Sequence, residues 1–324
     1  MYTRYLTVPL AILQSFVIYS TLKNYGLSIG KDLVQDLTLY QFITMTSVLT
    51  AGSIIMMWLS ELISESGLGG GSTYLIFLSI ISNIPYLLVR NLQLSDTLEI
   101  LVMIAVYVIL IALVIYLTEA ERQIKVTYSR RVRTGATYES YIPLKLTQFG
   151  VMPVIFATSL FYFPQLLSEF LIGRPDVFNF VLGDNGADKV GKVALEVQRL
   201  FTNDWFSNVG IMILVILFSF FYITIVFNTD ELAENLQKQG AFIQGIRPGK
   251  KTAEFLRKAS FKLTAVGAIF LAFLAVLPGL LVKTDFVTTS IFSGTGLIIV
   301  VGAVIEIKTQ LESMIVAKSY QKYL

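Results

Sequence analysis

The chain contains no cysteine and no histidine. Their absence excludes disulfides, Cys/His zinc sites, His- or Cys-ligated haem, thiolate nucleophiles and every triad that needs an imidazole. Charge is scarce too. Asp, Glu, Lys and Arg make up 15% of the 324 residues, against 55% for the AVILMFWYC set, and mean hydropathy is +0.70. A soluble protein needs more charge than this to cover its surface. The composition is that of an integral membrane protein. The net charge of +3, from 25 Lys and Arg against 22 Asp and Glu, says little by itself. The positions of those charges say more.

A bilayer core needs about 17–25 apolar residues per helical span. Eight stretches fit this expectation, labelled A (Tyr5–Leu22), B (Phe42–Ile63), C (Thr73–Val89), D (Leu98–Leu117), E (Phe149–Ile172), F (Val209–Phe227), G (Leu263–Val282) and H (Ile291–Ile307). Apolar residues run around the whole of each span, as contact with lipid or protein on all sides demands. The alternating ten-residue segments of a membrane barrel are not found. C and H are the shortest. No secretory leader pattern precedes span A, since Met1 is followed within three residues by Arg4 and then by a full span.

Basic residues orient the chain. The D–E connection (Glu119–Gln148) carries Arg122, Lys125, Arg130, Arg131, Arg133 and Lys145; the F–G connection (Asn228–Lys262) carries Lys238, Arg247, Lys250, Lys251, Arg257, Lys258 and Lys262. With Arg4, Lys308, Lys318 and Lys322, one side collects 17 cations and the other 8. Both termini and both long basic connections are therefore expected in the cytosol. The E–F connection (Gly173–Asn208) faces out, and its mixed charges suggest a small amphipathic cap.

Ionisable groups near the bilayer centre mark ion and proton pathways. None is present: Glu61, Arg90, Glu99 and Glu306 all lie at span ends. Relay-coupled transport and intramembrane hydrolysis are both disfavoured. What remains is backbone chemistry. Ser66–Ser72 is glycine-rich but lacks the lysine and spacing of a phosphate loop. Pro153 and Pro164 in span E are expected to interrupt its ladder and allow a kink or hinge.

The basic connections are the stronger clue. Tyr128-Ser-Arg-Arg-Val-Arg133 and Gly245-Ile-Arg-Pro-Gly-Lys-Lys251 each put several cations on a cytosolic excursion. Fixing topology by positive charge is one reading. Docking an anionic partner, such as ribosomal RNA or an acidic protein surface, is the other. Pro248, Gly245 and Gly249 would set a tight turn with Arg247 at its tip, which a mere topology signal does not need.

At these connections the chain resembles the SecY family, the central subunits of the Sec protein-conducting channel. The residues carrying the resemblance are Phe220-Phe-Tyr-Ile-Thr-Ile-Val-Phe-Asn228 and Asn235-Leu-Gln-Lys-Gln-Gly-Ala-Phe-Ile-Gln-Gly-Ile-Arg-Pro-Gly-Lys-Lys-Thr-Ala253. Tyr2-Thr-Arg-Tyr5, Met57-Trp-Leu-Ser-Glu61, Ile142-Pro-Leu-Lys145, Gly150-Val-Met-Pro-Val-Ile-Phe-Ala157, Leu263-Thr-Ala-Val-Gly267 and Phe292-Ser-Gly-Thr295 follow in order. One departure is Gly69-Gly-Gly-Ser-Thr73, where the family usually has Gly-Asn-Gly-Ile-Ser.

The resemblance implies an all-α polytopic membrane fold of two pseudo-symmetric halves around a central pore. Spans A to H would correspond to helices three to ten of a ten-helix family. The abrupt start would then mean that the first helix, the plug and one lateral-gate helix lie outside this chain. Residues 1–118 would be the rest of the N-terminal half, 119–148 a basic cytoplasmic loop, and 149–324 the C-terminal half with its own basic loop at 228–262 and a cytoplasmic tail.

The implied activity is passage of unfolded secretory polypeptides and lateral release of membrane segments, without enzymatic chemistry or cofactor. Residues carried over by the resemblance are Ile76, Ile80, Ile155 and Ile299 for an aliphatic pore ring. Pro153 and Phe163 would belong to a lateral gate. Arg247, Arg130, Arg131, Lys250 and Lys251 would contact the ribosome or the SecA motor. Ile80, Ile155 and Ile299 each lie seven residues from the cytoplasmic end of their span, a common depth of about 10 Å. Implied partners are SecE-like and SecG-like small subunits, SecA, the ribosome, client polypeptides and lipid. The implied location is the bacterial cytoplasmic membrane, or alternatively a plastid thylakoid membrane. Two other classes stay open from the residues alone. A secondary transporter or flippase would need midplane polar groups and saturable uptake. A membrane scaffold or insertase-like binder would conduct nothing.

Overall fold

The computed structural model describes residues 2–29, 38–65, 70–94, 97–128, 139–173, 184–283 and 293–321. Their elements, in order, are α1 (Tyr2–Ile29), α2 (Leu39–Glu65), α3 (Gly71–Leu94), α4 (Thr97–Glu119), β1 (Glu121–Tyr128), β2 (Glu139–Lys145), α5 (Met152–Gly173), α6 (Asp184–Thr202), α7 (Asp204–Val226), α8 (Thr229–Lys238), β3 (Ala241–Ile243), α9 (Lys250–Lys283) and α10 (Gly294–Gln321). Each of the eight apolar stretches falls mainly on a helix, with Phe149–Val151 of span E in a turn and Phe227 and Ser293 at the ends of spans F and H outside helix. Six helical runs among the described residues are long and apolar enough to cross a membrane: Tyr40–Glu65, Gly71–Arg90, Thr97–Glu119, Asp204–Lys238, Lys250–Leu281 and Gly294–Val316. Spans A and E fall on α1 and α5.

Helix α4 buries one narrow face and leaves the rest outward, whereas α9 is buried on several sides, with Leu271, Ala272, Leu274, Ala275 and Val276 all enclosed. In α4, Met103, Tyr107, Leu110, Val114 and Leu117 are buried at helical spacing, while Leu101, Ile104, Val108, Ile109 and Tyr116 are exposed. Apolar exposure on this scale suits a lipid surround and no aqueous one.

The connections correct the sequence reading. Instead of two solvated excursions, the D–E and F–G connections build one antiparallel sheet in the order β2-β1-β3. In β1, charged and polar residues alternate with Ile124 and Val126, which are buried. Val126 pairs with Ser140 on one side and Ile243 on the other. Pro143, which cannot donate to a ladder, sits on the edge strand β2. The sheet's inner face packs with Leu236 of α8 and Leu256 and Ala259 of α9 into a small apolar core outside the apolar spans. The F–G connection is also shorter than its expected 228–262, because α9 begins at Lys250 and carries Arg257, Lys258 and Lys262 as helical residues.

In the E–F connection, α6 is amphipathic, as its mixed charges suggested: Ala194 is buried while Lys189, Lys192 and Glu196 are exposed. The chain forms two compact units: residues 1–76, 159–210 and 313–324 in one, and 77–158 with 211–312 in the other. In the first, Phe161 packs against Phe201 and Phe206 with ring centroids 5.0 and 6.3 Å apart. The second holds the sheet, the base of α5 and most of α7, α9 and α10.

Candidate functional site

Two features of the second unit bear on function: the base of α5 and the three-stranded sheet. The turn at 146–151 carries β2 into α5. Gly150 turns it at φ +62°, in the left-handed region. The Val151 carbonyl then accepts the amide N–H groups of Val154 and Ile155 at 3.1 and 3.3 Å. Gln148 is tied to α9 by the Ser260 hydroxyl, 3.3 Å from its Oε1. Pro153 is fully buried in the first turn of α5, where a proline removes no intrahelical bond. The expected break there is therefore not found, and Pro164 is the proline inside the helix. Phe163 is 41% exposed.

Alongside this base lies α10. Lys145, Thr147 and Gln148, ahead of α5, line one cavity of about 250 Å³ with Ile305, Glu306, Thr309 and Gln310 of α10. Val151 meets Gly302. Residues earlier in α5's approach thus meet residues later in α10, so the two run antiparallel. One step further into each helix brings Ile155, four residues past Val151, and Ile299, three before Gly302. Rises of about 6 and 4.5 Å put both at nearly one level. Ile299 is 8% exposed and Ile155 is half-buried. Ile76 and Ile80 are half-buried one turn apart on α3.

The turn after β3 forms the basic tip. Gly245 and Gly249 have φ of +82° and +89°, and the Thr252 hydroxyl donates to the Arg247 carbonyl at 3.0 Å. The turn expected from Gly245, Pro248 and Gly249 is there, and it leaves Arg247 and Lys250 exposed. Lys251 bonds Glu254 at 3.1 Å. That hydrogen bond and the ammonium charge hold the Glu254 carboxyl below the usual carboxylate range. Arg130 and Arg131 lie outside the described residues. Because β3 pairs with β1, the connection bearing Arg130 and Arg131 and the one bearing Arg247 spring from one sheet.

Sequence reasoning missed this joining, although the alternation around Ile124 and Val126 was a signal. It also missed the bond from Lys308 Nζ to Glu119 Oε1 at 3.0 Å, which links the end of α4 to α10. Among the described residues, no group of three or more His, Cys, Asp or Glu side chains could hold a metal ion.

Comparison with known proteins matches the SecY family model to residues 1–308. The protein translocase subunit SecY of Streptomyces galbus is 36% identical over 336 residues, covering 100% of this chain and 74% of the relative. The SecY subunit of Mycobacterium bovis is 35% identical over 333 residues, covering 100% of this chain and 73% of that one. A solved structure described as a protein-conducting channel superposes with a TM-score of 0.67 at 18% identity, over 96% of this chain and 72% of that one. A SecY structure concerned with a plug domain that stabilises the closed channel gives 0.66 at the same identity and coverage. At that identity the two structures establish likeness of fold.

Proposed function

This chain belongs to the SecY family of protein translocase subunits, and we propose that it forms the polypeptide-conducting pore of a Sec channel, with aliphatic side chains at the waist. It is a membrane protein of a channel family whose members work with other components and with polypeptides in transit, and catalysis is not part of that role. The observation that carries the pore reading is the juxtaposition at the base of α5, where Ile155 and Ile299 come to nearly one level on antiparallel helices. Ile76 and Ile80 complete the ring from α3. An apolar constriction dewets when empty and yields around a passing chain, so it holds back ions without any charged filter.

Lateral release of membrane segments would proceed beside α5, with Phe163 on its exposed face and buried Pro153 anchoring its root. Arg247, Lys250 and Lys251, together with Arg130 and Arg131, would receive the anionic surface of a SecA-type motor or of ribosomal RNA. SecE-like and SecG-like subunits would complete the assembly in the bacterial cytoplasmic membrane, with both termini in the cytosol.

The test is conductance. Replacing Ile80, Ile155 and Ile299 together with Ser in the reconstituted complex is expected to raise resting ion leak across a planar bilayer. Leak equal to that of the parent would remove these residues from the ring.

A further inference from the structure

Resting on that pore reading, we propose that Gly302 of α10 is a positioning residue: its missing side chain is the notch that seats Val151 and thereby sets the height of Ile155 against Ile299. A Cβ placed on Gly302 would overlap Cγ1 of Val151. Both residues are buried, and the β-branched Val151 side chain is stiff at its first torsion, so the overlap is expected to be relieved by moving the backbones apart. That movement reaches the waist directly, because the Val151 carbonyl holds the amide of Ile155.

Two further close approaches keep the base of α5 from relaxing elsewhere. A Cβ on Gly267 of α9 would lie 2.6 Å from the Leu146 carbonyl oxygen, so the turn ahead of α5 is pressed onto α9. Gly294 leaves room for the Ala275 and Leu274 carbonyls, which seats α10 on α9. Small residues that let backbones approach closely are the usual means of fixing helix spacing in a membrane. Here they fix it one turn from the residues assigned to the ring. A methyl group at Gly302 points at Val151, not into the neighbouring cavity, and would push the two apart at the level where an apolar seal depends on helix spacing.

Gly302→Ala in the reconstituted complex is expected to raise resting conductance severalfold. The cysteine-free chain offers a second readout. Ile155→Cys with Ile299→Cys is expected to form a disulfide that adding Gly302→Ala suppresses. Val151→Leu, which overfills the notch from the α5 side, is expected to act like Gly302→Ala. Val151→Ala combined with Gly302→Ala removes the overlapping methyl and is expected to bring conductance and disulfide yield back toward the parent. Parental conductance and disulfide yield in both Gly302→Ala and Val151→Leu would overturn the proposal, as would a double variant that folds yet leaks like Gly302→Ala. If the triple Ser variant leaks while Gly302→Ala does not, the notch role fails and the pore reading stands. If the triple Ser variant does not leak, the pore reading itself fails.

Discussion

At the scale of single residues, the basic tip shows how much a few backbone angles decide. Gly245 and Gly249 occupy the left-handed region, where a side chain costs about 1–2 kcal/mol, and the turn they permit leaves Arg247 in solvent. Lys251 is paired with Glu254, so Arg247 and Lys250 carry the net positive charge of the tip. Arg247→Glu is expected to weaken binding of a SecA-type motor or of ribosomes severalfold and to flatten the salt dependence of that binding. Affinity measured on reconstituted complexes across ionic strength checks this, and parental affinity would remove Arg247 from the contact. The tip was legible in the sequence because Gly, Pro and Gly at close spacing form a local code. The Gly302–Val151 approach was not. Nothing near either residue announces a partner half the chain away, and a glycine in an apolar run reads as filler until a second helix lies against it.

Among the elements, the three-stranded sheet departs most from what the sequence suggested. The charges around Ile124 and Val126 marked a cytoplasmic segment, and that mark drew attention from the period-two pattern beneath it. β3 has only three residues and exists because β1 offers it a ladder, so no local preference could have revealed it. The sheet is held to the membrane part by α9, which contributes Leu256 and Ala259 to the sheet's apolar core and then continues as an apolar span. Leu256 is 0% exposed. Leu256→Ala is therefore expected to destabilise that core by about 2–5 kcal/mol. Limited proteolysis should then cleave between β1 and β2 while the apolar spans stay membrane-embedded. An unchanged cleavage pattern would show that the sheet does not depend on this core. The long helices themselves were legible, since an apolar run of membrane length leaves the backbone no other way to satisfy its hydrogen bonds. Their ends were not, because the polar first turns of α9 extend a span into what composition marks as a loop.

For the whole molecule, the distribution of cations makes a definite claim about sidedness. Lys192 on α6 belongs to the sparsely basic side and Arg247 to the rich one, and both are exposed. In the cysteine-free chain, Lys192→Cys is expected to react with a membrane-impermeant maleimide in intact cells, and Arg247→Cys only after permeabilisation. The reverse pattern would invert the topology and with it the assignment of the basic tip to the cytosol. Family was readable from the sequence since it is a sum over many positions, whereas the level of a waist depends on a handful of contacts between remote helices.

The sheet also has a consequence for biosynthesis. Thr127 of β1 donates to the carbonyl of Phe242 in β3, 115 residues later. β1 and β2 can form a hairpin as soon as they emerge, but β3, α8 and α9 are translated only after α5 and α7. A newborn chain therefore cannot finish this sheet and its apolar core until those two helices have been made, and the turn bearing Arg247 takes its place on the sheet only then.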